Sequence, residues 1–384
     1  MDFAFTAEQQ AVAEAAAGVF GSLVDPDRVG RIEESTDRVD TELWSALAAA
    51  DLLGLAVPED HGGQGLGLTE LCLVLEAQGR CVAPVPLWST LVLGALPLAR
   101  FGSTAQAARW LPQVTAGDVF LSAALTGTAE STTGLPRIAA VADGDGWRLT
   151  GTEPAVPQAH VAARVLVPAR TPQGAVVVVL FDPAQDGVRL ERAVTTNREI
   201  HPHLHLDGVP VGPEDVVAGP DRGAEALAWT LAAARTGLCA LAVGVAESAL
   251  RQAAEYLNER HQFTKPLSSF QGTMLRAADA AIDIEAMRVT LWQAAWRLDT
   301  DRPAAEAVAV AKWQASERGQ RAVHATQHLH GGVGADITYP IHRYFLWGKQ
   351  IELQLGGPGR QLAALGSLVA ERVTAGAAKG EGGR

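Results

Sequence analysis

Residues 260–271 read Arg-His-Gln-Phe-Thr-Lys-Pro-Leu-Ser-Ser-Phe-Gln and directly follow a long helical pattern. The segment places an arginine, two phenylalanines and a glutamine around a Lys-Pro turn. A guanidinium can pair with a pyrophosphate, and phenylalanine and glutamine can hold the flat and the polar parts of a nucleotide. The segment therefore predicts a nucleotide contact through Arg260, Phe263, Phe270 and Gln271.

A second segment, residues 328–334, reads His-Leu-His-Gly-Gly-Val-Gly. Its adjacent glycines suit a place where the chain approaches a ligand or a neighbouring element closely. The imidazole of His328 can hydrogen-bond to a nucleotide. The adjacent glycines therefore indicate a close approach, either to a ligand or to a neighbouring element.

Each of these residues also has a simpler explanation. Phe263 and Phe270 could be core residues at a helix junction, and Arg260 could be a solvated cation at a helix end. The glycines at 331 and 332 could be a helix stop. The spacing that the two segments share favours the nucleotide site over these separate explanations.

The composition indicates a packed globular protein. Hydrophobic residues make up 48% and charged residues 19% of the 384 residues, enough for two or three domains. The net charge of −12 without a Lys/Arg run disfavours nucleic acid and anionic membranes, but allows an anionic ligand on a local basic patch. Three distant cysteines and an N-terminus without a basic region predict buried thiols in a soluble cytoplasmic protein.

The pattern changes twice along the chain. Residues 1–115 are typical of helices, and residues 116–222 contain short β-branched runs separated by Pro and Gly, which predicts a compact antiparallel barrel or sandwich. Residues 223–375 return to long helices and predict a bundle. Residues 376–384 are rich in Gly, Ala and charge and predict a disordered tail.

Local patterns place several elements. Thr6 and Gln9 form a capping-box pattern at the start of a helix. Strands are predicted at Val161–Val167 and Ala175–Phe181. Ala224–Glu259 consists almost entirely of good helix formers, and its internal glycines permit close approach of other helices. Further helical stretches are predicted at Ser268–Leu298, Pro303–Leu329 and Arg343–Leu355.

The order of helices, β domain and helical bundle resembles the acyl-CoA dehydrogenase flavoproteins, and residues 260–271 and 328–334 resemble motifs in their C-terminal half. The resemblance covers nearly the whole chain and implies an α+β fold. It also implies FAD bound across a dimer interface. One subunit's β domain holds the isoalloxazine ring, and the partner's C-terminal domain holds much of the pyrophosphate and adenosine. The FAD contacts that the resemblance implies in the second segment are His328, Gly331, Gly332 and Gly334. Thr264 stands where the family usually has glycine, and His328 where it usually has glutamine.

The ring side of the family's FAD site is only partly present. Thr126 matches the family's threonine, so it joins the implied cofactor-binding set, but Gly127 stands at the position of a glutamate. Ala155 and Pro157 replace the tryptophan and threonine that lie beside the ring. Alanine cannot cover a ring, and proline has no hydroxyl or N–H to donate. The resemblance therefore implies that this subunit holds a flavin ring poorly.

The catalytic carboxylate of the family has no counterpart at either of its two known positions. These positions read Ala234, in the long helix, and Gly356, in a late loop, so we predict no catalytic residue in this chain. Glu247, Glu352 and Asp336 are the nearest acids, but they are more typical of surface or helix-pairing charges.

Three histidines, His201, His203 and His205, could share one face of a strand and bind a metal. No carboxylate or cysteine completes an obvious set, so we expect a solvated strand face and no metal. The sequence contains no P-loop, no Gly-x-Ser-x-Gly and no Rossmann fingerprint after a strand.

Two further segments, Tyr339–Phe345 and Leu355–Pro358, resemble the non-catalytic subunits of α2β2 acyl-CoA dehydrogenases of bacterial steroid side-chain degradation. The resemblance implies a homologous catalytic partner, an acyl-CoA substrate, and electron-transfer flavoprotein or a similar acceptor. Two alternatives stay open. One is a self-sufficient homotetramer with an unusual base, acting as an acyl-CoA or acyl-carrier dehydrogenase or oxidase. The other is a flavin-free structural subunit.

Overall fold

The computed structural model describes residues 4–131 and 134–381, with side chains through residue 374. The helices are α1 (Ala7–Leu23), α2 (Pro26–Glu34), α3 (Thr41–Ala49), α4 (Leu68–Cys81), α5 (Leu96–Phe101), α6 (Thr104–Thr115), α7 (Thr126–Ala129), α8 (Gly223–Glu259), α9 (Gln271–Asp299), α10 (Ala305–Leu329), α11 (Ile341–Leu353) and α12 (Pro358–Glu381). A π-helical segment, Trp88–Ala95, leads into α5. Short 3₁₀ turns lie at Glu59–His61, Pro213–Asp215, Leu267–Ser269 and Gly331–Ala335.

The strands are β1 (Leu121–Ala123), β2 (Ile138–Asp143), β3 (Gly146–Glu153), β4 (Arg164–Arg170), β5 (Val176–Phe181), β6 (Val188–Glu191), β7 (His203–Val211), β8 (Val216–Ala218), β9 (His261–Gln262) and β10 (Lys265–Pro266). Eight of them form one sheet in the order β6-β7-β3-β2-β4-β5-β8, with β1 added beside β4. The α+β fold of helical domain, β domain and helical bundle is confirmed.

The β domain is mixed rather than wholly antiparallel. β4 runs parallel to both β1 and β2, whereas the other neighbouring strands of this sheet pair in antiparallel fashion. Sequence alternation indicates which side chains are buried but does not give the direction of the neighbouring strand. Both faces of β4 and β5 are buried. Leu166 and Val178 on one face join the core of the helical domains, whereas Val165 and Val177 on the other form part of a separate β-domain core.

The first helix begins as its sequence predicts. The Thr6 hydroxyl accepts the Gln9 N–H at 3.2 Å, and the Gln9 side-chain oxygen accepts the Thr6 N–H at 3.1 Å. Val12, Ala16 and Phe20 then recur at helical spacing and are buried. The capping box therefore sets the register that buries this face of α1.

Two glycines allow α4 and α8 to touch through their backbones. A Cβ at Gly79 of α4 would lie 2.3 Å from the Leu241 carbonyl oxygen, and one at Gly244 of α8 would lie 2.0 Å from the Glu76 carbonyl oxygen. The close helix approach that the small residues of α8 predicted is thus present. α4 is consequently buried along most of its length.

The N-terminus of α4 is capped by a residue from the end of α9. Asp299 accepts the N–H of Leu68 at 2.7 Å and the N–H of Thr69 at 2.9 Å. Burial raises the pKa of the Asp299 carboxyl, although these hydrogen bonds oppose the shift. The cap joins the N-terminal helices to the C-terminal bundle.

The long helices lie where the sequence predicts them, with ends displaced by at most a few residues. α8 is long and apolar enough to cross a membrane by length and composition, and 72% of its most apolar window is buried inside the molecule. α12 continues to Glu381, so residues 376–381, for which we predicted a disordered tail, are helical, and residues 382–384 lie outside the described residues.

Candidate functional site

The predicted nucleotide segment forms a small hairpin between α8 and α9. β9 and β10 pair in antiparallel fashion, and Phe263 and Thr264 form the turn with φ of 51° and 66°. Two consecutive positive φ angles are typical of a type I′ turn, which usually contains Asn and Gly. Phe263 is 86% exposed. The hairpin therefore projects an aromatic side chain into solvent from a strained turn.

The hairpin is anchored to the ends of two helices. The Leu267 N–H donates to the Arg260 carbonyl at 2.8 Å, and Leu267 packs on a small cluster that contains Leu257 and Leu329. Phe270 is half-buried as the residue before α9, and Gln271 is exposed as its first residue. Because Leu329 ends α10, this cluster brings the hairpin and the glycine segment together.

The three predicted glycines differ in their surroundings. Gly331 has φ of 64°, and a Cβ at Gly331 or Gly332 would meet open space. A Cβ at Gly334 would instead lie 2.3 Å from the Gln327 carbonyl oxygen. Close packing against Gln327 therefore explains the glycine at position 334. Gly331 and Gly332 instead leave exposed backbone beside the hairpin.

His328 is exposed and contacts a residue that sequence reasoning missed. Arg276 Nη1 lies 2.9 Å from His328 Nδ1. Both line a groove of about 690 Å³ between α9 and α10, together with Asp279, Ala280, Ile282, Asp283, Gln320, Arg321, His324 and Ala325. No motif marks Arg276; only its place on the exposed face of α9 could have drawn attention to it.

On the ring side, the turn that contains Thr126 is filled by side chains of the β domain. The Thr126 hydroxyl donates to the Ala155 carbonyl at 3.2 Å. The Gly127 N–H donates to the Glu153 carboxylate, and a Cβ at Gly127 would lie 2.6 Å from Arg137 Cδ. Burial raises the pKa of Glu153 to about 7. A side chain at position 127 would therefore require Arg137 and Glu153 to move.

The segment around Ala155 and Pro157 is fixed to the same domain. The Ala155 N–H donates to His203 Nδ1 at 3.2 Å, and the carbonyl of the buried Pro157 accepts the Ser122 hydroxyl. His201 is only 2% exposed. The expectation of a solvated histidine face is therefore wrong for His201, because it and His203 hydrogen-bond inside the domain.

A tryptophan covers the first of the two predicted base positions. Ala234 is fully buried, and its carbonyl accepts the Trp88 indole N–H at 3.0 Å. A Cβ at Gly237, one turn further along α8, would lie 2.9 Å from Trp88 Cδ1. The indole therefore occupies the space over both residues.

The second base position is a strained turn linked to the first by an arginine. Gly356 has φ of 99°, and a Cβ there would lie 2.7 Å from Gln361 Nε2. Arg235 Nε donates to the Leu355 carbonyl at 3.2 Å. Burial lowers the pKa of Arg235. A partly buried cation, with no carboxylate in an ion pair among the described residues, thus bridges the two positions.

Comparison with known sequences identifies the fold family. Residues 6–118 match the acyl-CoA dehydrogenase N-terminal domain, and residues 221–361 match the acyl-CoA dehydrogenase C-terminal domain. The chain belongs to the acyl-CoA dehydrogenase family. Acyl-CoA dehydrogenase FadE27 of Mycobacterium tuberculosis is 38% identical over 97% of this chain and 99% of its own length.

Two solved structures, one described as a steroid acyl-CoA dehydrogenase and the other as a two-component complex, have the same fold as this chain. A chain of the Tcur3481-Tcur3483 steroid acyl-CoA dehydrogenase is 46% identical, with a TM-score of 0.89 over 96% of this chain and 99% of that chain. A chain of the ChsE4-ChsE5 complex from Mycobacterium tuberculosis is 38% identical, with a TM-score of 0.90 over 97% and 99%.

Three other acids of this acyl-CoA dehydrogenase that could replace the base are engaged elsewhere. Glu247 pairs with Arg80 and Arg288. Glu352 pairs with Lys349. Asp336 accepts the N–H and the hydroxyl of Thr338 at 2.8 Å each. Each carboxylate thus already has hydrogen-bond donors within its own local structure.

A buried lysine beside the late loop was also missed from the sequence. Lys312 is fully buried, and its ammonium donates to the Ser316 hydroxyl at 2.9 Å and to the Ile351 carbonyl at 2.8 Å. It therefore caps the end of α11, just before Leu355. Burial lowers the pKa of Lys312 to about 8. The only indication in the sequence is a single lysine inside an apolar helical stretch.

Proposed function

We propose that this chain is the non-catalytic subunit of a heteromeric FAD-dependent acyl-CoA dehydrogenase, an enzyme that introduces an α,β double bond into an acyl-CoA thioester. One observation carries the proposal. Arg260, Phe263, Gln271 and His328 of the nucleotide end are exposed, whereas the ring end and both base positions are filled by the chain's own side chains.

The nucleotide end fits the adenosine diphosphate part of FAD. Arg260 is exposed and forms no ion pair with any described residue, so its guanidinium is free for a phosphate. Phe263, in the turn of the hairpin, and Gln271, at the start of α9, are both exposed. Exposed backbone at Gly331 and Gly332 leaves room for a ligand that approaches closely. These features support binding of a nucleotide that is held jointly with another chain.

The ring end of this chain fits the isoalloxazine poorly. The Thr126 hydroxyl already donates to Ala155, and Pro157 is buried with its carbonyl accepting a hydrogen bond. No aromatic side chain stands at position 155. These contacts support a division in which the ring lies in the β domain of the partner subunit.

The chemistry requires a carboxylate at the α-carbon, and this chain offers none at the family's positions. FAD, when bound, supplies the hydride acceptor. A positioned base contributes about 10²–10⁴-fold to rate, and Ala234 lies behind the Trp88 indole. In this proposal the partner's glutamate removes the α-proton. This chain binds the nucleotide, and Trp88 excludes substrate and water from the space over Ala234.

The comparisons support the assembly and the substrate class. The relatives include chains described as a steroid acyl-CoA dehydrogenase and as a two-component complex. We therefore propose an α2β2 enzyme with two flavins per tetramer, acting in the cytoplasm on a bulky CoA thioester. Electron-transfer flavoprotein or a similar acceptor would reoxidise the flavin.

The decisive experiment is coexpression with an adjacent gene of the same fold that carries a glutamate at either base position. We expect a stable mixed complex with one flavin per pair of chains and turnover that the isolated chain lacks. A chain that alone binds one flavin and oxidises acyl-CoA would refute the partner role and favour the homotetramer. A mixed complex without flavin would favour the structural subunit.

A further inference from the structure

Arg276, at the mouth of the α9–α10 groove, differs from the other arginines nearby. Arg318 and Arg321 both pair with Asp283. Arg276 is exposed and forms no ion pair with any described residue, although Asp279 lies one turn away on the same helix. Its guanidinium therefore retains a full positive charge toward the groove.

The contact between Arg276 and His328 assigns the acceptor role to the histidine. A guanidinium has five N–H donors and no acceptor, so His328 Nδ1 must accept with its lone pair. The ring N–H then lies on Nε2, so the pair presents donors from both members.

Arg276 lies beside the predicted nucleotide residues. It follows Gln271 by five residues on α9, roughly 8 Å along the helix axis, and His328 precedes Gly331 by three residues. The first turn of α9 contains no acidic residue and no side-chain cap. The first turn of α9 therefore adds no negative charge between Gln271 and Arg276 and leaves its backbone N–H groups without a side-chain cap.

We propose that Arg276 binds a phosphate of the adenosine diphosphate part of FAD and that His328 positions it. The inference rests on the proposed function and adds a residue that is not part of the family motif considered above. His328 gives Arg276 an acceptor that fixes its side chain, a role that the family's usual glutamine could also perform. Arg276 is then the phosphate contact, and His328 acts through it.

The test uses the mixed complex with its catalytic partner. Flavin is removed, and FAD is titrated back while its fluorescence is followed. We expect Arg276→Ala to raise the FAD Kd about 10-fold or more, because a hydrogen bond to a charged group is lost. The Kd of the variant should also depend less on salt. Arg297→Ala, at the far end of the same helix, should leave the Kd unchanged.

Two variants at position 328 test the positioning role. His328→Ala should weaken FAD binding by a smaller factor than Arg276→Ala, and His328→Gln should restore it because the amide oxygen can accept from Arg276. An unchanged Kd and salt dependence in Arg276→Ala would overturn the inference. So would a raised KM for acyl-CoA with unchanged FAD binding. If the wild-type complex binds no FAD, the proposed function itself fails.

Discussion

The hairpin at Arg260 follows the last turn of α8, and Ala234 lies in the N-terminal part of the same helix. The two regions differ in what covers them. Phe263 at the hairpin is 86% exposed, whereas Ala234 is fully buried beneath Trp88. Two parts of the family's site thus differ in exposure in this chain. In the proposed function, the open surface contacts a ligand jointly with a partner, and the filled region has no substrate to admit.

A glutamate introduced at the buried base position should destabilise the chain. Ala234→Glu places a carboxylate at a fully buried position beside the Trp88 indole, so we expect a loss of roughly 4 kcal/mol or more in the free energy of unfolding. Urea unfolding measures it. Gln271→Glu, an exposed change to the same residue, should stay within about 0.5 kcal/mol. A stable Ala234→Glu variant with its own turnover would show that the site is open.

Two aromatic truncations compare the ends directly. Trp88→Ala removes a buried indole and its hydrogen bond to Ala234, which should cost about 3–5 kcal/mol in unfolding free energy. Phe263→Ala should leave the stability of the isolated chain nearly unchanged but weaken FAD retention in the mixed complex. Similar stability losses in both variants would remove the distinction between the two ends.

The ring end should show a pH dependence of stability. Burial raises the folded-state pKa of Glu153 to about 7, above its ordinary value of 4.5. Between these values Glu153 binds more protons in the folded state than in the unfolded state. Its contribution to the free energy of unfolding is therefore complete below pH 4.5 and is lost as pH rises through 7. Thermal unfolding across pH 4–8 measures it. Glu153→Gln should flatten the profile, whereas an unaltered slope would assign it to another group.

The open end should contain removable backbone strain. Thr264 has φ of 66°, which a β-branched residue adopts at a cost of about 1–2 kcal/mol. Thr264→Gly should therefore raise the unfolding free energy by about 1 kcal/mol, partly offset by the greater entropy of the unfolded chain. Thr300→Gly, at a φ of −102°, should lower it. A destabilised Thr264→Gly variant would mean that the threonine side chain contributes to the turn.

Features that depend on nearby residues could be predicted from the sequence. The Thr6 capping box and the extent of α8 were both predicted, because periodicity and capping are local properties. The hydrogen bond from Trp88 to Ala234 spans 146 positions, and the contact from Arg276 to His328 spans 52. Composition and spacing do not encode such pairs, so the sequence identifies Ala234 and Gly356 at the two base positions but does not predict which side chains lie against them.

The cap that Asp299 provides to α4 has a consequence for how the chain can be divided. Leu68 and Asp299 are 231 positions apart, and an N-terminal fragment ending before the β domain would leave two backbone donors of α4 without their acceptor. The glycine contact between α4 and α8 would be lost as well. We therefore expect α4 to be less stable in such a fragment than in the full chain, because its first turn and its packing on α8 both depend on later parts of the chain.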